Sequence, residues 1–163
     1  MSFDKKCGDC SACCVLPEVP ELKKPCNVSC SYLLGVSGGG CSIYESRPTS
    51  CREFRCQWLV NESAQDDMRP DRCGVMFEKL KGEQVVLALF LPESRCDKDL
   101  PKIREVINAI LRNNFAVVSS GGVSNAPLIY LPSGVTKEMV RKSMWRFWHR
   151  FVETHDGCSV IHN

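Results

Sequence analysis

No part of this sequence stays apolar for the roughly 18 consecutive residues that a membrane-spanning helix needs, so we expect no membrane segment. The formal net charge is only +2, which argues against a general binder of polyanions. The three histidines all lie beyond residue 148, and no Ser/His/Asp set, paired carboxylates or complete dinucleotide fingerprint occurs. The sequence therefore assigns no catalytic residue, and whether the protein is an enzyme stays open.

The N-terminal segment before the first cysteine lacks the apolar run of a secretory signal peptide. We therefore expect a cytoplasmic location, where thiols stay reduced. Nine of the twelve cysteines nonetheless fall within the first 56 residues, and several of them are separated by only two residues. Such spacings turn several sulfurs toward one point, which suits a metal ion better than disulfide bonds. Metal binding is therefore the favoured fate of these thiols, ahead of disulfides or free thiols.

The identity of the metal stays open between zinc and an iron–sulfur cluster. All plausible ligands are sulfur, because no histidine lies in the cysteine-rich half. Cys7, Cys10 and Cys13 match the first three positions of the bacterial ferredoxin run, but Pro17 stands where its fourth cysteine belongs. No iron–sulfur signature is complete, and the thiol count allows either one cluster or two zinc sites.

The cysteine spacing and the residues around it resemble a known family. The run Cys7-x2-Cys10-x2-Cys13-Cys14 is the motif of the bacterial YkgJ-like cysteine-cluster proteins, which are described as zinc- or iron-chelating. Residues 41–54 resemble the family's signature Cys-x-Ile-Tyr-x-x-Arg-Pro-x-x-Cys-Arg-x-Phe, and residues 30–33 resemble its Cys-x-x-Leu step. The resemblance covers about residues 7–58.

This resemblance implies a set of metal ligands rather than a biological task. Seven cysteines are carried over as ligands: Cys7, Cys10, Cys13, Cys14, Cys30, Cys41 and Cys51. Cys26 and Cys56 lie outside the family pattern and are weaker candidate ligands. Within the signature, we expect Arg47 either to hydrogen-bond a cluster sulfur or a nearby carboxylate, or to pack the two parts of the protein together.

The distribution of residue types along the chain predicts an α+β protein in two parts. Residues 1–60 are punctuated by proline and glycine and have few apolar clusters, so they are predicted to be an irregular cysteine-rich metal module that metal helps to fold. Residues 61–73 are polar and are predicted to be a connecting loop. Residues 74–155 are predicted to be a small ββαββα domain against which the module packs.

Apolar periodicity places the elements of this second part. Strands are predicted at 75–77, 85–91, 115–118 and 128–131, and the second is apolar enough to be covered on both faces. Helical spacing runs from Leu100 to Leu111, with Asp99 as N-cap, and again from Met139 to Phe151 after an N-cap at Thr136. A four-stranded sheet with both helices on one face follows from this order.

The remaining candidates have ordinary structural interpretations. Three cysteines stand apart from the cluster and are predicted to be small buried hydrophobes: Cys73, Cys96 and Cys158. Cys73 is the first exception to expect, because it lies where the two predicted parts meet.

The last predicted helix has a basic face that includes Trp145, and we expect it to be a solvated surface rather than a nucleic-acid site. Its basic residues are Lys137, Arg141, Lys142, Arg146 and Arg150.

The sequence thus predicts a cytoplasmic metal-binding protein with zinc or an iron–sulfur cluster in a thiolate site. The metal is expected to be structural or to help bind a partner, which would be another protein. Two alternatives remain open at this point: an iron–sulfur redox protein or enzyme component, and a metal-handling protein that exchanges its ion.

Overall fold

The computed structural model describes residues 5–35, 40–91, 101–119, 128–145 and 159–162. The chain divides into two compact units, Met1–Met76 and Phe77–Asn163. Helices and a mixed sheet occur together, which confirms the α+β class. No helix within the described ranges is both long enough and apolar enough to cross a membrane.

Short helices and turns make up the first unit. Its α-helices span four or five residues each: α1 Ala12–Val15, α2 Thr49–Glu53, α3 Gln57–Val60 and α4 Pro70–Cys73. Single 3-10 turns lie at Pro20–Leu22, Tyr44–Ser46 and Asp66–Met68. Such short helices gain little from backbone bonding alone, so side-chain contacts must hold this unit together.

Residues 61–73 belong to the first unit and include regular structure, so they are more than a connecting loop. The indole nitrogen of Trp58 donates to the carbonyl of Gln65 at 3.0 Å. The ammonium of Lys5 donates to the carbonyls of Asn61 and Ala64 at 2.6 and 2.7 Å. These bonds tie the start of the chain and α3 to the segment that leads into α4.

Five strands form one sheet in the order β1-β2-β3-β4-β5. The strands are β1 Val75–Lys79, β2 Val85–Phe90, β3 Ala116–Ser119, β4 Leu128–Leu131 and β5 Ser159–His162. All four predicted strands are present within a few residues of their expected positions. The fifth strand was not predicted, because a four-residue run with polar ends carries no clear periodic signal.

The strand directions are mixed. β2 and β3 pair in parallel with Val85 opposite Ala116, β3 and β4 pair antiparallel, and β4 and β5 pair in parallel. In both parallel pairs the chain moves to the next strand in the same direction across the sheet. The strands of the first pair point opposite to those of the second, because β3 and β4 are antiparallel. If both connections are right-handed, as is usual, their two helices lie on opposite faces of the sheet. That rule runs against the one-face arrangement expected from the sequence, which stays a prediction.

Buried side chains of β2 and of helices α5 and α6 contribute to the core of the second unit. All six side chains of β2 are buried, as its apolar sequence predicts for a strand covered on both faces. Helix α5, Pro101–Arg112, buries Ile103, Ile107 and Leu111, which lie four residues apart on one face. The predicted Asp99 cap and Leu100 lie outside the described residues.

Helix α6, Lys137–Ser143, begins at the expected residue. The Thr136 hydroxyl accepts a hydrogen bond from the Met139 backbone nitrogen at 3.2 Å, which confirms the predicted N-cap. Val140 and Met144 are buried, but Met139 is 52% exposed and so is not part of the apolar stripe. Residues 146–151, which include the rest of that stripe, lie outside the described residues.

The described part of the basic face on α6 is exposed. Lys137, Arg141 and Lys142 all face solvent. The Arg141 guanidinium lies 3.6 Å from the Glu138 carboxylate, one helical turn away. This internal ion pair offsets part of the positive charge, which agrees with a solvated helix face. Arg146 and Arg150 lie outside the described ranges.

Candidate metal centre

The first cysteines are brought together by a tight turn followed by α1. The Cys10 backbone nitrogen donates to the Cys7 carbonyl at 3.0 Å, across a glycine with φ of +54°. The Cys14 nitrogen donates to the Ser11 carbonyl at 2.8 Å and continues the turn into the helix. Ala12 and Leu16, 2% and 1% exposed, anchor this helix in the core. The C-x2-C-x2-C-C run therefore folds as one compact stretch.

Backbone bonds place the next cysteines against this stretch. The Cys30 nitrogen donates to the Cys14 carbonyl at 2.8 Å, and the Asn27 nitrogen donates to the Leu16 carbonyl at 3.1 Å. Cys41 lies in a separate antiparallel bridge with Leu33. Cys51 lies within α2, and Cys56 is the buried residue that precedes α3.

The adjacent thiols of Cys13 and Cys14 form a hydrogen-bonded pair. The Cys13 thiol donates to the Cys14 sulfur, which raises the pKa of Cys13, and burial raises it further. The same hydrogen bond lowers the pKa of Cys14 to about 7, with help from the positive charges of Lys24 and Arg47. Cys14 is therefore the member of the pair that ionises more readily, and thiolates are the form that binds metal.

Four cysteines act on one another at the N-terminal side. Cys13 interacts electrostatically with Cys7 and Cys10, and Cys56 interacts with Cys7. We call Cys7, Cys10, Cys13 and Cys56 the first thiol group. Burial raises the pKa of Cys10 to about 11 and also raises that of Cys56. Burial disfavours the charged form of a thiol unless a cation balances it.

A carboxylate lies beside the first thiol group. The Cys10 side chain hydrogen-bonds to that of Asp71, and the Asp71 charge raises the pKa of the Cys10 thiol. Asp71 is itself paired with Arg69 at 2.7 and 2.8 Å. Arg69 also interacts electrostatically with Asp66 and with Cys10, so its positive charge acts on several acidic groups at once.

Four other cysteines surround a lysine. The Lys24 ammonium interacts electrostatically with Cys26, Cys30, Cys14 and Cys51. Cys51 in turn interacts with Cys14 and Cys30, and burial raises its pKa. We call Cys14, Cys26, Cys30 and Cys51 the lysine-centred thiol group. Burial lowers the pKa of Lys24, and the surrounding sulfur charges oppose that shift.

Arg47 of the family signature stacks on a tyrosine. Its guanidinium carbon lies 3.6 Å from the centre of the Tyr44 ring, and its Nε donates to the Tyr44 carbonyl at 2.8 Å. It influences the sulfurs through charge, since it lowers the pKa of Cys14. Tyr44 itself is 57% exposed.

The described thiols are near one another without converging on a single point. Within the described ranges, no three ligating side chains lie close enough together to hold a metal ion as they stand. No disulfide joins any two of the ten cysteines in the part of the chain that the structure describes. Binding at these thiols therefore requires side chains to rotate toward the ion, which couples binding to local ordering.

Of the three cysteines outside the N-terminal cluster, Cys73 lies within the described residues. The Cys73 sulfur is half-buried and lies 3.4 and 3.2 Å from the carbonyls of Met68 and Val75. Its sulfur is therefore held against the backbone around α4. Cys96 and Cys158 lie outside the described residues.

Sequence reasoning missed Lys24 and Asp71 as residues of the site. Lys24 is only 6% exposed, which is unusual for lysine. The available signal was its place between Pro20 and Pro25 in a segment dense in cysteine, where a cation has a clear electrostatic use. Asp71 carried no such signal, because it is 61 residues from Cys10 along the chain.

No protein-family model, curated protein or solved structure matches this chain. The case for a function therefore depends on the residues and geometry described above.

Proposed function

We propose that the cysteine-rich unit is a thiolate metal-binding module, holding zinc or an iron–sulfur cluster in a structural or partner-binding role. One observation carries this proposal: eight thiols are linked by electrostatic interactions within the first unit, and four of them act on a buried lysine. Thiols gathered in this way repel one another when ionised, and a bound cation relieves that repulsion. The resemblance to the YkgJ-like family supports the same chemistry.

A cytoplasmic location fits this chemistry. Reduced thiols are available to a metal there, whereas an oxidising compartment would drive neighbouring cysteines toward disulfides. Iron–sulfur binding would make a redox protein or an enzyme component the better description, because such clusters transfer electrons. Zinc would favour the structural role, since zinc has no redox chemistry in proteins.

The proposal is tested by the metal content of protein purified anaerobically, reduced and without chelator. We expect about one or two zinc ions, or a corresponding amount of iron and sulfide, per chain. A colourless sample with zinc indicates thiolate zinc, and a brown sample that bleaches in air indicates a cluster. Protein that contains no metal after this preparation, and takes none up from added zinc or iron and sulfide, contradicts the proposal.

A second candidate function is metal exchange, and the exposure of Cys7 favours it. Structural zinc sites are closed by their ligands, whereas Cys7 is solvent-exposed and open to a competing acceptor. The rate of zinc transfer to a chromophoric chelator distinguishes the two roles. Transfer within minutes supports exchange, whereas zinc that is retained for hours supports the structural role.

A further inference from the structure

Helix α2 carries Cys51, one of the ligands that the family resemblance implies, and it has no cap from its own flank. The residue before it is Pro48, whose side chain has no hydrogen-bonding atom and makes no capping bond. A helix of five residues gains little from its internal bonds, and its first backbone N–H groups have no partner within it. Its position therefore has to be fixed from outside.

A carboxylate from a distant part of the chain supplies the missing cap. The Oε1 atom of Glu21 accepts a hydrogen bond from the Ser50 backbone nitrogen at 3.1 Å, and Oε2 accepts one from the Ser50 hydroxyl at 2.8 Å. Negative charge is also favourable at the N-terminal end of a helix. Because both carboxylate oxygens hold the residue next to Cys51, Glu21 fixes where α2 begins and how it is oriented.

Glu21 lies in a closed loop, residues 19–24, which we call the bracket loop. Val19 and Lys24 pair across its base as an antiparallel bridge, with backbone hydrogen bonds of 3.0 and 3.1 Å in the two directions. The 3-10 turn Pro20–Leu22 fills the loop, and Val19 is buried in the core of the first unit. The Glu21 backbone is therefore attached to a fixed part of this unit.

The bracket loop is also fastened to α1. Lys24 is 6% exposed, and its ammonium donates to the carbonyl oxygens of Val15, Pro17 and Pro25 at 2.8, 2.5 and 3.1 Å. Three bonds use all three ammonium protons, so the side chain is held in one place. Val15 is the last residue of α1, which carries two of the predicted ligands. The bracket loop thus joins α1 to α2 through two side chains.

From these bonds we infer that Glu21 is a positioning residue of the metal module: it docks α2 on the bracket loop and so places Cys51 for metal binding. Glu21 itself is not a ligand. Metal binds the arrangement in which α2 is docked, so the apparent affinity falls with the fraction of metal-free molecules that have this arrangement. The inference rests on the proposed function and adds a residue that controls how tightly the module binds metal.

The test is the zinc affinity of the full chain, prepared anaerobically and reduced, in competition with a chromophoric chelator. Glu21→Ala removes both bonds to Ser50, and we expect it to lower zinc affinity by about 2- to 30-fold, the usual effect of losing a helix cap. Ser50→Ala removes only the hydroxyl bond and should lower the affinity less. In the double variant, Ser50→Ala should add nothing to Glu21→Ala, because its bond is already lost.

A second measurement separates positioning from a general loss of folding. The alkylation rate of each cysteine in the metal-free protein is followed by mass spectrometry of its peptides. We expect Glu21→Ala to raise the rate at Cys51 while that at Cys13, on α1, stays at the wild-type value. General unfolding would raise both rates together.

Glu53→Ala is the matched control for charge. Glu53 is an exposed carboxylate at the other end of α2, so this variant removes the same charge from the same helix and leaves the Glu21 bonds in place. It should not lower zinc affinity or raise alkylation of Cys51. If Glu21→Ala fails to fold, Glu21→Gln replaces it. Its amide oxygen can still accept from the Ser50 nitrogen, so its affinity should lie between those of wild type and Ser50→Ala or match the latter.

The outcomes distinguish this inference from the proposed function. A chain that binds neither zinc nor iron contradicts both. Wild-type zinc affinity and wild-type Cys51 alkylation in Glu21→Ala overturn the positioning role and leave metal binding intact. Equal losses of affinity in Glu21→Ala and Glu53→Ala, or equal rises in alkylation at Cys51 and Cys13, also overturn it. For a chain that takes up iron and sulfide but no zinc, the alkylation of Cys51 decides.

Discussion

The ammonium nitrogen of Lys24 lies 2.8 Å from the carbonyl oxygen of Val15, the last residue of α1. The last carbonyls of a helix have no partner within it, and positive charge is favourable there. The same helix carries Cys13 and Cys14. One buried lysine therefore both caps the C-terminal end of the helix that carries these cysteines and places positive charge near the Cys14 sulfur.

Removal of individual cysteines is expected to lower metal content unequally. Cys10→Ala, Cys14→Ala, Cys41→Ala and Cys51→Ala should each reduce bound metal and disorder the first unit, because a thiolate site loses much of its binding energy with one ligand. Elemental analysis together with circular dichroism measures both effects. Cys73→Ser is the control, since Cys73 lies outside the family pattern and its sulfur contacts the carbonyls of Met68 and Val75. Equal metal loss in Cys73→Ser would contradict the division of the cysteines.

Chelation is expected to affect the first unit more than the second. The first unit has only short helices, whereas the second has a sheet and buried helix faces of its own. Apolar side chains contribute roughly 1.5–3 kcal/mol each on full burial, so the second unit retains its main source of stability without metal. Hydrogen exchange before and after chelation measures this for each unit. Equal loss of protection in both would show one cooperative structure built around the metal.

Ile107 is expected to contribute strongly to the stability of the second unit. It is 4% exposed on the buried face of α5, and Ile107→Ala should cost about 2–5 kcal/mol of unfolding free energy through lost burial and a cavity. Urea denaturation of the metal-loaded protein measures the change. Glu105→Ala lies on the exposed face of the same helix and should change stability by less than about 0.5 kcal/mol. If both variants lost a similar amount of unfolding free energy, Ile107 would not be a core residue of this unit.

Glu78 is expected to make the second unit less stable as pH rises. Burial raises the pKa of this carboxyl group on β1, because its charged form is poorly solvated. The folded chain thus binds the proton more tightly than the unfolded chain. The associated stability is present below the unfolded pKa and is lost as pH rises through the folded pKa.

The measurement for Glu78 is the urea midpoint from about pH 4 to about pH 8, which brackets the ordinary glutamate range. Glu78→Gln should flatten this dependence and unfold at higher urea than the wild type near neutral pH. Glu105→Gln, an exposed carboxylate, should leave the slope unchanged. A wild-type slope that persists in Glu78→Gln would assign the pH dependence to another group.

The elements of the second unit were predictable because their signals are local. The apolar run 85–90, the four-residue spacing of Ile103, Ile107 and Leu111, and the Thr136 cap each depend on residues close together in the chain. Met139 shows the limit of this reasoning. It fits the helical spacing, but which positions of α6 are covered is decided by packing, and the structure leaves Met139 exposed.

The sequence by itself determined the number of thiols, their close spacing and the compact C-x2-C-x2-C-C turn, because these follow from residues that are neighbours in the chain. Tertiary structure decided the parallel pairing of β2 with β3 and of β4 with β5, and which charges accompany which sulfurs. Asp71 reaches Cys10 across 61 residues, and the Lys24 carbonyl partners and neighbouring sulfurs come from several segments. Electrostatic interactions depend on distance in space, and a linear pattern does not encode that distance.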